Sequence, residues 1–191
     1  LLGDRFLQEY RRAAEMRYRL MPYIYAQAVH STRNGLPMVR ALFVEYPDDP
    51  GAWLVEDQYL FGADMLVAPL MENGSARDVY LPGGRWIDYQ SGQVYEPGWQ
   101  HIEAGEIPAV ILVRDGAAIP HIGLAQSTSA LDWSQLELVV YASDGQEAST
   151  RVALPPEAEL VTVTATPTDG GYEIGETGVD VRWTVRAITG H

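Results

Sequence analysis

The sequence predicts a mainly β protein: an N-terminal helix, then an antiparallel β-sandwich, a short linker, and a second β-sandwich. Three observations predict it. A helical period of apolar residues is confined to the first thirty-odd positions. After Pro37, short runs of strand formers are cut by turn signals at intervals of about 8 to 12 residues. A small polar stretch at 123–130 (GLAQSTSA) then separates two such sets of strands.

The helix is expected over residues 5–32. Leu7, Tyr10, Ala14, Tyr18, Met21, Tyr25 and Ala28 recur at steps of three or four and so share one face. Pro22 lies inside this run and has no N–H to donate, which predicts a kink or a restart near Leu20. Asn34-Gly35 supplies a left-handed stop, and Pro37 blocks continuation. An apolar helical face needs a covering layer, so residues 1–35 read as a piece of something larger.

Residues 38–46 are rich in strand formers and end in Pro47-Asp48-Asp49-Pro50, a turn signal. Further strands are expected at 59–70, 78–81, 85–89, 107–113 and 117–121, separated by Asn73-Gly74, Pro82-Gly83-Gly84, Ser91-Gly92, Pro97-Gly98 and Asp115-Gly116. Beyond the linker, strands are expected at 136–141, 149–154, 160–166, 171–174 and 179–187. In the last of these Val179, Val181, Trp183 and Val185 alternate with Asp180, Arg182, Thr184 and Arg186, the pattern of a half-buried strand. The distal sheet ends abruptly at His191, which predicts that it is short of strands.

Composition narrows the function. Net charge is -13, and residues 1–40 carry seven of the 13 basic residues but only three of the 26 acidic ones. The remaining body is strongly acidic, which disfavours nucleic acid and anionic lipid and suits a neutral partner such as a sugar. No apolar run reaches the ~18 residues of a membrane-spanning helix. There is no cysteine, and His30, His101, His121 and His191 show no metal-binding spacing, so neither a metal nor a cofactor is expected.

The candidate carboxylates come in pairs. Asp48-Asp49 and Glu56-Asp57 are neighbours in sequence, and adjacent side chains diverge in turns and strands; Asp48-Asp49 reads as a turn and cap device. Glu103 and Glu106 flank Gly105 in a loop and read as solvated. No nucleophile elbow, phosphate loop or dinucleotide fingerprint is present. Among the five tryptophans, Trp86 and Trp183 read as core. Trp53 and Trp99 lie near turns and are the sugar-stacking candidates, because an aromatic face suits the apolar face of a pyranose. Arg40, inside an apolar segment, is expected to pair with a carboxylate or with carbonyls.

Residues 17–25 (RYRLMPYIY) resemble the RxxLxPYxY signature of glycoside hydrolase family 31. The likeness continues in order through 35–42 (GLPMVRAL), 46–50 (YPDDP), 58–62 (QYLFG), 66–69 (LVAP), 79–86 (VYLPGGRW) and the Pro108, Arg114, Gly116 and Pro120 pattern. Each segment is weak alone; the ordered series over residues 10–122 is specific. The resemblance implies that residues 1–35 are the terminal helix region of a catalytic (β/α)8 barrel. It implies that 36–122 and 131–191 are proximal and distal C-terminal β-sandwiches joined by 123–130.

The resemblance further implies a retaining α-glycosidase of xylosidase or glucosidase type, in which one aspartate attacks the anomeric carbon and a second protonates the leaving oxygen, the two ~5 Å apart. In the family both come from barrel strands upstream of the helix where this chain begins, and no position here matches either motif. No catalytic residue is therefore carried over. The chain alone is expected to be inactive, supporting a barrel that binds carbohydrate. The alternative is a non-catalytic carbohydrate-binding or structural β-sandwich module. An uncovered helical stripe (Leu7, Tyr10, Tyr18, Met21, Tyr25) predicts a homo-oligomer through the N-terminal helix. The parent is expected in the cytoplasm.

Overall fold

The structure, a computed structural model, describes residues 3–188. It is mostly β, as the pattern of the sequence predicts. Helix α1 (Asp4–Arg19) stops at Leu20, and α2 (Met21–Asn34) restarts with Pro22 in its first turn, where a missing N–H costs nothing. Gly35 closes α2 at φ 76°, its N–H donating to the Ser31 carbonyl. No helix among the described residues is long and apolar enough to cross a membrane.

The proximal half comprises β1 (Val39–Arg40), the short helix α3 (Leu42–Glu45), a 3-10 turn (Pro50–Trp53), β2 (Tyr59–Phe61), β3 (Met65–Pro69), β4 (Ala76–Leu81), β5 (Trp86–Asp88), β6 (Val94–Tyr95), β7 (Gly98–Glu103) and β8 (Ala109–Arg114). Six of these strands form an antiparallel sheet in the order β1-β2-β3-β8-β5-β6, and β4 with β7 forms a separate two-stranded ribbon. The expected strand at 38–46 is cut short, because Leu42 turns into the core and the chain winds once into α3. The expected strand at 59–70 is a hairpin, folded back at Gly62 with φ 69°. A side chain there would be strained, and its Cβ would also lie 2.4 Å from the Tyr23 hydroxyl.

The distal half comprises β9 (Ala117–Ile122), β10 (Gln135–Tyr141), β11 (Ala148–Val152), β12 (Val161–Thr168), β13 (Gly171–Ile174) and β14 (Arg182–Ile188). They form one sheet in the order β13-β12-β11-β9-β10-β14, whose outer strands touch, so that it nearly closes. Two of its pairings, β10 with β14 and β11 with β9, are parallel; the rest are antiparallel. Residues 123–130 form an exposed connection containing a short 3-10 turn (Thr128–Ala130), and β9 before it pairs with β10 after it.

Three apolar clusters follow from strand alternation. In β3 and β8, Met65, Ile111 and Val113 face one way, into a layer shared with Leu20, Tyr23, Ile119, Val139 and Tyr141. Leu66, Ala68, Val110 and Leu112 face the other way, onto Trp86 and the ribbon residues Val79, Leu81 and Ile102. Both faces being buried explains why β8 reads AVILVR without polar alternation. The third cluster, with Leu138, Val140, Val152 and Val163, fills the distal sheet.

Helix α2 is wedged between the halves. Tyr23 donates its hydroxyl proton to the Phe61 carbonyl at 2.8 Å and accepts from the Asp64 N–H, and Gln27 accepts from the Ala63 N–H. Its other side meets the distal sheet, where Met21, together with Tyr18 of α1, packs on the third cluster and Tyr25 meets Trp133 edge-on. The expected single uncovered stripe is therefore corrected. Tyr18, Met21 and Tyr25 are covered by this chain's own distal sheet, and the fully buried positions of α2 include Tyr23, Ala26 and Gln27. Ala28 is exposed. Apart from Ala28, the stripe stays open at its N-terminal end, with Leu7 56% and Tyr10 64% exposed and Phe6 stacked beside Tyr10.

Candidate functional site

The carboxylates singled out from the sequence do separate jobs. Asp49 accepts from the Gly51 N–H at 2.9 Å, capping the 3-10 turn, and from the Tyr80 hydroxyl at 2.7 Å. Asp48 is exposed beside it. Asp57 pairs with Arg77, and Glu106 lies 3.4 Å from Arg12. Glu56 and Glu103 are exposed. Other acidic side chains are structural too. Asp88 folds a turn by accepting from Gln90 and Ser91, and Asp115 accepts from Ser143, Gln146 and Arg85.

No three His, Asp or Glu residues among those described could hold a metal ion. His121 is buried between the Tyr89 hydroxyl at 2.6 Å and the Ile119 carbonyl at 3.0 Å, and its burial lowers the imidazole pKa to about 4. His101 contacts Asp78 at 2.7 Å, and His30 meets Asn34 and Arg151. His191 lies outside the described residues. Arg40 donates to the Pro37 carbonyl and to Glu45, the pairing the sequence predicts.

Trp86 is fully buried, donates to the Pro82 carbonyl at 3.0 Å and lies under the Arg114 guanidinium; Trp183 packs on the distal core. The two expected stacking residues are open. Trp53 is 57% exposed and donates from its indole N–H to the Pro47 carbonyl, with Phe43 stacked on it at 4.6 Å. Trp99, on β7, is 62% exposed and leans on Tyr80 at 5.4 Å.

Trp99 lines an open cleft of about 420 Å³ with Met71, Asp57, Arg77, Asp78 and His101. An aromatic face beside carboxylate and imidazole groups can hold a pyranose ring by stacking and hydrogen bonds. Tyr80 ties the two tryptophan-bearing segments together. Its ring supports Trp99, its hydroxyl holds the cap residue of the Trp53 turn, and a Cβ on Gly51 would lie 2.2 Å from its ring. Nothing in the sequence signals this arrangement, because β7 (GWQHIE) has no regular alternation of apolar and polar residues.

Residues 35–119 match the sequence profile of the glycosyl hydrolase family 31 C-terminal domain. The chain is 31% identical over 149 residues to α-glucosidase 2 of Bacillus thermoamyloliquefaciens, a match covering 77% of this chain and 19% of that protein. The GH31 α-xylosidase structure from Xanthomonas citri superposes with a TM-score of 0.79 at 27% identity, over 98% of this chain and 22% of that one. The Flavobacterium johnsoniae GH31 dextranase, solved with glucose, superposes with a TM-score of 0.81 at 24% identity over 97% of this chain and 26% of its own, a likeness of fold. The chain thus spans about a fifth of the length of these proteins. The ordered motifs, the β architecture and these matches agree: the chain belongs to glycosyl hydrolase family 31, as a C-terminal portion of it.

Proposed function

We propose that this chain is the non-catalytic C-terminal portion of a retaining α-glycosidase that removes terminal α-linked sugars, an α-xylosidase first and an α-glucosidase next. The observation that carries this reading is one of coverage. The likeness spans nearly all of this chain but about a fifth of its relatives, and the sequence holds neither catalytic aspartate motif. On this reading the β halves brace a (β/α)8 barrel, residues 1–35 belong to its last helices, and 36–122 and 131–191 are its two C-terminal modules. Phe6, Leu7 and Tyr10 are then the face that the barrel covers, and in the isolated chain this face drives self-association. The α-xylosidase preference draws on the resemblance of residues 17–50 and on the Xanthomonas citri superposition.

The test compares kcat/KM of the longer protein carrying this portion on nitrophenyl α-xyloside and α-glucoside. A higher value on the xyloside supports the first assignment, and the reverse replaces it with the second. A different reading, a carbohydrate-binding module, is favoured by Trp99 and its cleft. Saccharide affinity that is lost in Trp99→Ala, without any hydrolysis by the longer protein, would favour it.

A further inference from the structure

The sequence holds two asparagines, Asn34 and Asn73, and each is followed by glycine. That pairing has a chemistry of its own. The glycine amide nitrogen can attack the asparagine side-chain carbonyl, because no Cβ on the following residue shields it. The attack needs a free N–H, a free side-chain amide and a backbone able to rotate. The two sites differ in all three.

Asn34 is the last residue of α2, and Gly35 is its left-handed cap. The Gly35 N–H is spent on the Ser31 carbonyl at 2.9 Å. The Asn34 side chain is held at both ends, its Oδ1 accepting from the Leu36 N–H at 3.0 Å and its Nδ2 meeting His30 at 2.6 Å. Asn73 lies in the loop between β3 and β4, where residues 71–75 are all exposed. The loop is pinned at its ends, by the Leu70 N–H on the Pro108 carbonyl and by the Ala104 N–H on the Ser75 carbonyl. Between these pins neither the Asn73 side chain nor the Gly74 N–H has a hydrogen-bond partner among the described residues. Exposure alone does not separate the two asparagines, since both are exposed; hydrogen bonding does.

We propose that Asn73 is a site of spontaneous deamidation and isomerisation, and that Asn34 is protected by the fold. Solvent base takes the Gly74 amide proton, and the nitrogen attacks the Asn73 Cγ. The new N–Cγ bond forms, the Cγ–Nδ2 bond breaks, and Nδ2 takes a proton from water and leaves as ammonia. Water then opens the cyclic imide at either carbonyl, giving aspartate or isoaspartate, with no change of oxidation state. Asn73 lies in the wall of the Trp99 cleft with Glu72 and Asp78, so the product replaces a neutral amide there by a further carboxylate. The inference does not require the longer protein to be a glycosidase.

The 191-residue chain is incubated in mildly alkaline buffer and cut after arginine at acid pH, which places Asn34 in peptide 34–40 and Asn73 in peptide 41–77. Mass spectrometry then follows the exchange of amide for carboxyl in each, and methylation by an isoaspartyl methyltransferase detects isoaspartate. In the folded chain Asn73 should convert about tenfold or more faster than Asn34, because three hydrogen bonds oppose the attack at Asn34. In urea the two rates should converge. A Cβ on Gly74 meets nothing nearer than the Ala76 carbonyl at 3.8 Å, and Gly74 has no positive φ, so Gly74→Val fits the loop. Its branched side chain should slow conversion at Asn73 by about tenfold or more. The proposal is overturned by equal rates at the two sites in the folded chain, by conversion of Asn73 in urea alone, by a rate that Gly74→Val leaves unchanged, or by aspartate formed without isoaspartate.

Discussion

Replacing Asp64 by Asn should stabilise the protein, and only above acidic pH. Burial pushes the Asp64 carboxyl up from 3.8 to about 6, although Arg114, Arg151 and Arg40 pull the other way. The folded state therefore holds this proton more tightly than the unfolded chain does. Its favourable contribution is complete below pH 3.8 and is lost as pH rises through about 6. A rise of that size favours the protonated form by about 3 kcal/mol at most. Asp64 keeps some exposure, so about 2 kcal/mol is the better figure. Asn carries no charge to desolvate and should recover that amount at pH 8, a rise in Tm of about 4–8 °C for a chain of this length. At pH 4, where Asp64 is largely protonated in the folded state, the gain should fall well below ~1 kcal/mol. Urea or thermal denaturation of both proteins across this range measures it. Equal stability at pH 8, or a gain undiminished at pH 4, would refute the reasoning.

Other perturbations have outcomes of opposite sign or different origin. His121 should remain neutral at pH 6 and titrate near 4 in an NMR pH series; because its folded pKa is lowered, its contribution is present above 6.5 and lost as pH falls towards 4. Gly62→Ala should lose more than about 2 kcal/mol in a denaturant titration, since positive φ and the Tyr23 hydroxyl both oppose a Cβ. Asp115→Ala should lose stability by the same measurement, about 1–3 kcal/mol, because it takes the acceptor from the Ser143 N–H and hydroxyl and from Gln146. Sedimentation should show self-association of the chain that Leu7→Glu with Tyr10→Glu abolishes; a wild-type monomer would contradict this.

The fold was legible where a single period or a turn residue decides the backbone. The break at Leu20, the stop at Gly35, the hairpin signals and the alternation around Trp183 all follow from local chemistry. Less legible was anything set by which layers meet. Helix α2 buries two faces because a sheet lies on each side, a fact that no helical projection contains. Residues 38–46 break into a two-residue strand and one helical turn because Leu42 is drawn into the layer with Trp86, and β7 joins a ribbon despite its polar residues. Asp49 was readable as a cap from its place before Pro50. Tyr80 and Asp64 were not, because the groups around them come from distant parts of the chain. Asp64 did leave one trace, a lone acid in the apolar run from 59 to 70.

The central claim is that this chain supports catalysis without performing it. Hydrolysis of nitrophenyl α-xyloside and α-glucoside by the purified chain at high concentration tests it most directly. The predicted result is no turnover above a control protein prepared in parallel. Turnover that exceeds the control and disappears on replacing Asp48, Asp49 or Glu56 would contradict the claim and place the catalytic carboxylates within this chain.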